Sequence, residues 1–551
     1  MIHTLFVPAF FCKKIYFLTH KNKKRRNYMM KGIESCQLER IKNGVFLMEY
    51  VVGIDLGTSS LKGIVTNKAG KVIACASEHY SFFQKQTGWS EQNSDDWFIA
   101  LQKVLRKFIA EVANFSENLK GISFSGQMHS LVLLDEKKQV LRPAILWNDV
   151  RTSRECEQIK DKLGEQLLEI TKNQVLEGFT LPKLLWVKKN EPEIWSRVRH
   201  ILLPKDYLRY RLTGKMHIDF SDAAGTLLLD LERQVWSEEV AKSFGIPFTY
   251  FPPLVESLKC VGTLLPESLG DVKISPKVKV MAGAADNACA ALSAGIFSSE
   301  KGLVSIGTSG VFLTCGEGQE PVTGELHWFN HAVPASCYLM GVTLAAGYSL
   351  QWMKQTFAQE KSFPEALSGI EKVLPGANGL LFTPYIVGER VPYPDGQIRG
   401  SFLGIDTKHT FPHFMRAVIE GVTFSLKDVQ VLLEKMLRKT FTEIISVGGG
   451  AKNKEWAQIQ ADVFDAEIFA LAVEEGPSMG AAMIAAVGVG WFDSLEICAK
   501  SFVSYHKVAT PITENVRTYQ KIYSIYQQVY GQTKVISHEL RAFDDENVEE
   551  E

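Results

Sequence analysis

Three glycine-rich turns in the sequence have the composition of phosphate cradles. Val51-Val52-Gly53-Ile54-Asp55 is an apolar run that ends in an acid and passes into Gly57-Thr58-Ser59. Residues 302–306 pass in the same way into Gly307-Thr308-Ser309, and a third apolar run ends in Gly448-Gly449-Gly450. Small residues let backbone amides approach a ligand, hydroxyls add hydrogen bonds, and tight turns with exposed N–H groups attract anions. One Gly-Thr turn serves chain reversal equally well; two in opposite halves, with a third, favour a ligand. Asp286, in Ala282-Gly283-Ala284-Ala285-Asp286-Asn287-Ala288, is the candidate proton acceptor: it follows the apolar strand 278–281 among small residues that admit a substrate. Its competing role is a helix N-cap. Asp55 is an acid in a buried strand, which is costly unless it is paired, hydrogen-bonded or near a metal ion. Gln127, Met128 and His129 follow another strand and offer an amide, an apolar contact and an imidazole, although a lone histidine is more often structural. Trp147, Asn148 and Asp149 either line the same pocket or form a core tryptophan with a capped turn. No G-x-x-x-x-G-K-[ST] loop and no H-E-x-x-H helix occurs, which removes P-loop NTPases and that class of zinc enzyme.

The elements that must position these groups follow from the hydrophobic pattern. Residues 51–55, 61–66 and 71–77 read as three strands, with Asn67-Lys68-Ala69-Gly70 as a hairpin loop. Ser94 or Asp95 can cap a helix that runs to about Val112, because Trp97, Leu101, Val104, Leu105 and Phe108 recur at three- and four-residue spacing. Residues 120–124 form a buried strand that feeds Ser125-Gly126-Gln127. Hairpins first and alternating helices afterwards predict an α/β fold, a mixed sheet flanked by helices. The return of the opening theme near residue 302, in a chain of 551 residues, predicts two domains of one topology joined near 295–302. The Gly/Ala-rich run 480–486 predicts a helix packed closely on a sheet.

Composition narrows the class. There are 61 Lys+Arg against 62 Asp+Glu, a net charge of -1, with 46% hydrophobic residues: a globular chain with no global attraction to nucleic acid. Residues 1–47 differ, with ten basic residues against Glu34 and Glu39, a local +8 that leaves -9 on the rest. Their apolar run at 5–12 contains Pro8 and precedes the basic cluster, so it is reversed for a signal peptide and too short to span a bilayer. We expect this basic extension to lie outside the fold, with translation starting at Met48, and no nucleic-acid or membrane partner for the body. The nine cysteines are scattered, odd in number and without a C-x-x-C pair, which predicts a reducing, cytoplasmic setting.

Two longer patterns carry a resemblance. Gly400-Ser401-Phe402-Leu403-Gly404-Ile405, then His413-Phe414 and Ala417-Val418-Ile419-Glu420, together with Phe179-Thr180-Leu181-Pro182-Lys183-Leu184-Leu185-Trp186-Val187, resemble the two signatures of the FGGY family of carbohydrate kinases, with similarity over about residues 49–530. The resemblance implies two ribonuclease H-like domains of the actin, Hsp70 and hexokinase ATPase superfamily with an interdomain catalytic cleft. Their expected bounds are 48–297 for the sugar and 298–535 for the nucleotide, with an acidic tail at 536–551. Ser125-Gly126-Gln127-Met128-His129, Leu146-Trp147-Asn148-Asp149, Leu203-Pro204-Lys205-Asp206 and Gly388-Glu389-Arg390-Val391-Pro392 are most similar to members that act on D-xylulose. Ser130, Val391 and Tyr393 depart from that pattern and keep gluconate or another pentulose or polyol open as the substrate. By the resemblance Asp286 is the catalytic base and Asp55 orients Mg2+ through water. Gln127, Met128, His129 and Asn287 bind the sugar. Thr58, Ser59, Lys62, Gly307, Thr308, Gly347, Gln351, Gly449 and Asn453 bind ATP. Expected partners are the sugar and ATP, with a homodimer left open.

Overall fold

The computed structural model describes residues 48–265 and 267–549. The expectation for the basic extension therefore falls on residues 1–47, outside the described residues. Two seven-stranded sheets organise the rest. In the first, strands run in the order Cys260–Thr263, Lys279–Met281, Leu119–Gly126, Tyr50–Leu56, Ser60–Thr66 and Val72–His79, and Ala284–Ala285 adds beside Leu119–Gly126. In the second the order is His327–Asn330, Cys337–Thr343, Gly310–Gly316, Lys301–Ile306, Glu443–Gly448, Glu467–Leu471 and Tyr505–Ala509.

The repeat seen in the sequence is a repeat of topology. Tyr50–Leu56 pairs antiparallel with Ser60–Thr66 and parallel with Leu119–Gly126. Lys301–Ile306 pairs antiparallel with Gly310–Gly316 and parallel with Glu443–Gly448. In each sheet the glycine turn closes the central hairpin at the carboxyl end of the strand that has a parallel neighbour, which is where open α/β sheets bind ligands. Central strands are buried on both faces, so Val51, Val52, Ile54 and Leu56 are all inaccessible and the run reads as continuously apolar rather than alternating.

The helix predicted from Ser94 runs Ser94–Glu111, but its cap is Asn93, whose extended backbone lets the side-chain oxygen accept from the Asp95 amide at 3.2 Å. The Gly/Ala run lies in the helix Pro477–Gly488 and, although it belongs to the second half of the chain, packs on the first sheet. A Cβ on Gly53 would lie 2.5 Å from the Ala482 amide, and one on Gly480 would strike the Cys289 carbonyl. Only glycine permits backbones this close. The last helix, Thr513–Glu549, passes through the start of the expected tail without a break. Ser537 Oγ accepts from the Arg399 amide at 2.7 Å and His538 Nε2 lies 2.8 Å from Asp395, so packing continues past residue 536.

Candidate functional site

Asp55 stands one residue before the end of Tyr50–Leu56 and Asp286 at the start of the helix Asp286–Ser293. Both flank the same stretch of the Leu119–Gly126 strand: Asp55 is in register with Ser125 on one side, and Ala284–Ala285 pairs with Ser125–Gly126 on the other. Ser125 Oγ donates to Asp55 at 2.9 Å. Asp286 Oδ1 accepts from the Asn287 amide at 2.7 Å and from Asn287 Nδ2 at 3.0 Å. The helix-cap alternative is not realised, because Asp286 is bonded only to its immediate neighbour. Burial raises Asp55, opposed by Ser125 and Lys62. Burial first, then the charge of Asp55, push Asp286 up to about 7 against the Asn287 bonds. Both carboxylates remain partly exposed, so they are open to a ligand. Asp55, a hard oxygen donor destabilised as an anion by burial, is a group that a divalent cation would relieve.

A buried ionic cluster holds the backbone that carries Asp286. Lys205 Nζ lies 2.8 Å from Asp206, 2.7 Å from Asp219 and 2.8 Å from Asp222, all inaccessible to solvent. Asp219 Oδ2 accepts from Ser221 Oγ at 2.5 Å, and Ser221 Oγ accepts from the Ala285 amide at 2.9 Å. Arg209, paired with Asp206 at 3.0 Å, donates to the Ala282 carbonyl at 2.9 Å. The three carboxylates are close enough for a metal, but the Lys205 ammonium already occupies their centre.

Beside Asp286, Met128 and Asn287 meet: Asn287 Nδ2 is 3.8 Å from the Met128 sulfur, and the Tyr338 hydroxyl is 3.7 Å from it. His129 takes a left-handed backbone (φ 67°) and places Nδ1 2.7 Å from the Gly225 carbonyl. That contact puts the proton on Nδ1 and leaves Nε2 a lone pair; burial holds the ring neutral, down to about 3. Gln127 is turned into the wall: it is 2% exposed, accepts from Ser130 Oγ at 3.0 Å and donates to Gln92 at 3.4 Å. Trp147 Nε1 donates to Thr58 Oγ1 at 2.9 Å at the edge of the cleft, whereas Asp149 is buried on the Ser90 amide and Arg151.

All six second-half candidates line one cavity of about 330 Å³: Gly307, Thr308, Gly347, Gln351, Gly449 and Asn453. The turn and helix meet because the Gly347 amide donates to the Gly307 carbonyl at 2.8 Å. The sequence reading missed the apolar wall, in which Leu350, Phe363, Leu367 and Trp456 line the same cavity. Trp456, three residues after Asn453 and receiving its cap at 2.8 Å, was the signal available. Thr58 and Ser59 stand apart from this cavity, beside Asp55. Lys62 is not presented as a free cation: its ammonium is 2.7 Å from the Glu475 carboxylate and 3.0 Å from the Glu475 carbonyl. Larger cavities of about 510 and 730 Å³, near Trp328 and Trp236, contain none of the candidates.

Comparison with known proteins identifies one family along most of the chain. The profile of the N-terminal domain of the FGGY family of carbohydrate kinases matches residues 50–293, and that of its C-terminal domain matches residues 302–489. The chain is 53% identical over 500 residues to a xylulose kinase of Lactococcus lactis subsp. lactis, covering 91% of this chain and 100% of that one. It is 50% identical over 497 residues to a xylulose kinase of Bacillus subtilis, covering 90% and 99%. The crystal structure of a "xyloylose kinase" from Brucella ovis superposes with a TM-score of 0.83 at 33% identity, covering 89% of this chain and 100% of the other.

Proposed function

Because the chain belongs to the FGGY family of carbohydrate kinases, we propose that it transfers the γ-phosphoryl group of ATP to the terminal hydroxyl of D-xylulose, giving D-xylulose 5-phosphate. Its fold is that of the actin, Hsp70 and hexokinase ATPase superfamily. The observation that carries the mechanism is the placement of two accessible carboxylates, Asp55 and Asp286, at the mouth of the first sheet while one cavity gathers six candidate residues on the second. We assign the sugar to residues 48–297 and the nucleotide to 298–535.

In this reading Asp286 accepts the proton of the sugar hydroxyl as its oxygen bonds to the γ-phosphorus and the bond to the β-phosphate oxygen breaks, releasing ADP. A value near 7 suits the task, since the group is basic enough to take the proton yet substantially ionised at neutral pH. Asn287 fixes the carboxylate, Met128 supplies an apolar contact, and neutral His129 offers Nε2 to a sugar hydroxyl. Asp55 would hold Mg2+ through water, and that ion, when bound, would neutralise charge on the phosphoryl group. Thr58 and Ser59 adjoin the transferred phosphate; Gly307 and Thr308 cradle the remaining phosphates; Gly347 and Gln351 approach the nucleotide; Gly449 and Asn453 border the adenosine. Lys62 would reach phosphate only by leaving Glu475. All seven described cysteines are free and no described helix is long and apolar enough to cross a membrane, which supports a cytoplasmic setting.

The test is ADP release measured over a panel of pentuloses, polyols and sugar acids with ATP and magnesium. D-Xylulose should give the highest kcat/KM; a higher value for gluconate or a polyol would overturn the substrate assignment while leaving the kinase assignment in place.

A further inference from the structure

A small cavity opens beside His129, lined by His129, Trp147, Phe179, His327, Phe329 and Arg390 among others, with a volume of about 30 Å³. A cavity of that size holds only about two waters, so it admits one oxygen-bearing end of a ligand rather than a whole sugar. Arg390 reaches it from the second half of the chain. Its neighbour Glu389 is fully engaged, accepting from Thr343 Oγ1 at 2.6 Å, the Arg390 amide at 2.8 Å, the Leu344 amide at 3.1 Å and Ser425 Oγ at 3.3 Å. These bonds fix the backbone from which Arg390 projects.

The Arg390 guanidinium itself makes no hydrogen bond or ion pair with any described residue; Glu177 and Glu389 act on it only through space. Its five N–H donors are unspent, and a partly buried cation in that state is costly. The other basic groups nearby are committed or neutral. Lys183 gives its protons to the Gly178, Phe179 and His129 carbonyls, and burial leaves His129 and His327 uncharged. The contacts also give a direction. Asp286 is bonded to Asn287, Asn287 touches Met128, His129 follows, and the cavity beside His129 leads to Arg390.

We propose that Arg390 is a specificity-determining residue that receives the end of the sugar remote from the reacting hydroxyl, its planar fork spanning the adjacent C1 hydroxyl and C2 carbonyl oxygens of an open-chain ketose. This deepens the reading that the substrate is a pentulose phosphorylated at C5, and rests on it. A guanidinium suits two adjacent oxygens better than an ammonium does, because its donors lie in one plane at fixed spacing.

The test uses the full-length protein, Arg390→Gln and Arg390→Lys, with D-xylulose and its two C2-reduced pentitols, xylitol and D-arabinitol, in the ADP-release assay. Arg390→Gln should raise KM for D-xylulose about 10–100-fold, the range for hydrogen bonds to a charged group, with kcat within about 3-fold. The kcat/KM preference for the ketose over the pentitols should shrink at least about 5-fold, and Arg390→Lys, which keeps the charge without the fork, should fall between. KM for ATP and the thermal midpoint should stay at wild-type values. A D-xylulose KM within about 3-fold of wild type in Arg390→Gln, or an unchanged ketose preference, overturns the proposal; if that variant does not fold, a wild-type KM and preference in Arg390→Lys overturns it. Wild-type protein inactive on D-xylulose overturns the substrate reading instead, and the Arg390→Gln comparison is then decisive on whichever acceptor the panel identifies.

Discussion

Replacing Lys205 by Met should destabilise the protein strongly at neutral pH and less so in acid. The substitution keeps the length of the side chain and removes its charge, leaving Asp206, Asp219 and Asp222, all inaccessible to solvent, with Arg209 as the one remaining cation of the cluster at 3.0 Å from Asp206. Removing one partner of a buried ion pair costs about 3–5 kcal/mol, and at about 2 °C per kcal/mol for a cooperative unit of about 250 residues that lowers the thermal midpoint by about 6–10 °C. Burial already raises Asp206 and Asp222 above the usual carboxylate range with Lys205 in place, and its loss raises them further. Carboxylates raised in the folded state contribute stability that is whole below their unfolded value near 4 and is lost as pH rises through the folded values. The gap to wild type should therefore narrow on going from pH 8 towards pH 5, by at most about 1.4 kcal/mol per pH unit for each proton taken up. The assay is thermal unfolding at one fixed scan rate, since midpoints of large proteins depend on it. A midpoint within about 2 °C of wild type at pH 7.5, or a gap that widens in acid, would refute the reasoning.

The remaining predictions concern the chemistry. Asp286→Asn should lower kcat about 10²–10⁴-fold, the range of general-base catalysis, while calorimetry finds sugar affinity within a few-fold of wild type; near-normal turnover would remove Asp286 from its role. Ser221→Ala breaks the bond to the Ala285 amide and should lower kcat several-fold, about 1 kcal/mol, with KM for ATP unchanged. Gly347→Val places a Cβ against the Gly307 carbonyl and should raise KM for ATP about 10-fold or more, while D-xylulose binding measured without nucleotide stays at wild type. Asp286 must be ionised to accept a proton, so kcat/KM should rise with pH through about 7. Raising magnesium should move that limb to lower pH, because a nearby cation favours the carboxylate.

Features that depend on neighbouring residues in the chain were legible in the sequence, and those that depend on distant partners were not. The glycine turns, the strands at 51–55 and 61–66 and the exposure of Asp286 follow from local pattern, and they lie where expected. Gln127 shows the limit. It follows the same strand as Met128 and His129, but its direction is set by Gln92, 35 residues earlier, and by Ser130, which together draw it into the wall. Lys62 is captured by Glu475, 413 positions away. Leu350, Trp456 and the pair Phe363 and Leu367 belong to three separate segments, so nothing in the periodicity of any one marks them as walls of a common cavity. Arg390 stood inside a recognised motif, but only its lack of a protein partner singles it out, and that is a property of three-dimensional packing. The helix cap near residue 94 was missed by one position because Asn93, Ser94 and Asp95 are all competent caps, and backbone angle decides among them.

The duplicated topology explains why one centre can bind two substrates without confusing them. Ile54-Asp55-Leu56-Gly57-Thr58-Ser59 and Val304-Ser305-Ile306-Gly307-Thr308-Ser309 occupy corresponding places in the two sheets, each before a Gly-Thr-Ser turn. The acid is present in the first copy and replaced by Ser305 in the second. Under the proposed function a carboxylate at the second turn would repel phosphates brought to the cavity around Gly307, whereas at the first turn Asp55 helps raise Asp286 and would hold the cation. In that reading anion cradling is common to both copies, and one residue distinguishes the reacting end. The helix Pro477–Gly488 fixes the asymmetry mechanically, because it belongs to the second half yet is wedged between Gly53 on one side and the Asp286–Ser293 helix on the other. Any displacement of this helix therefore acts on both elements that carry Asp55 and Asp286, through the close backbone approaches at Gly53 and Gly480.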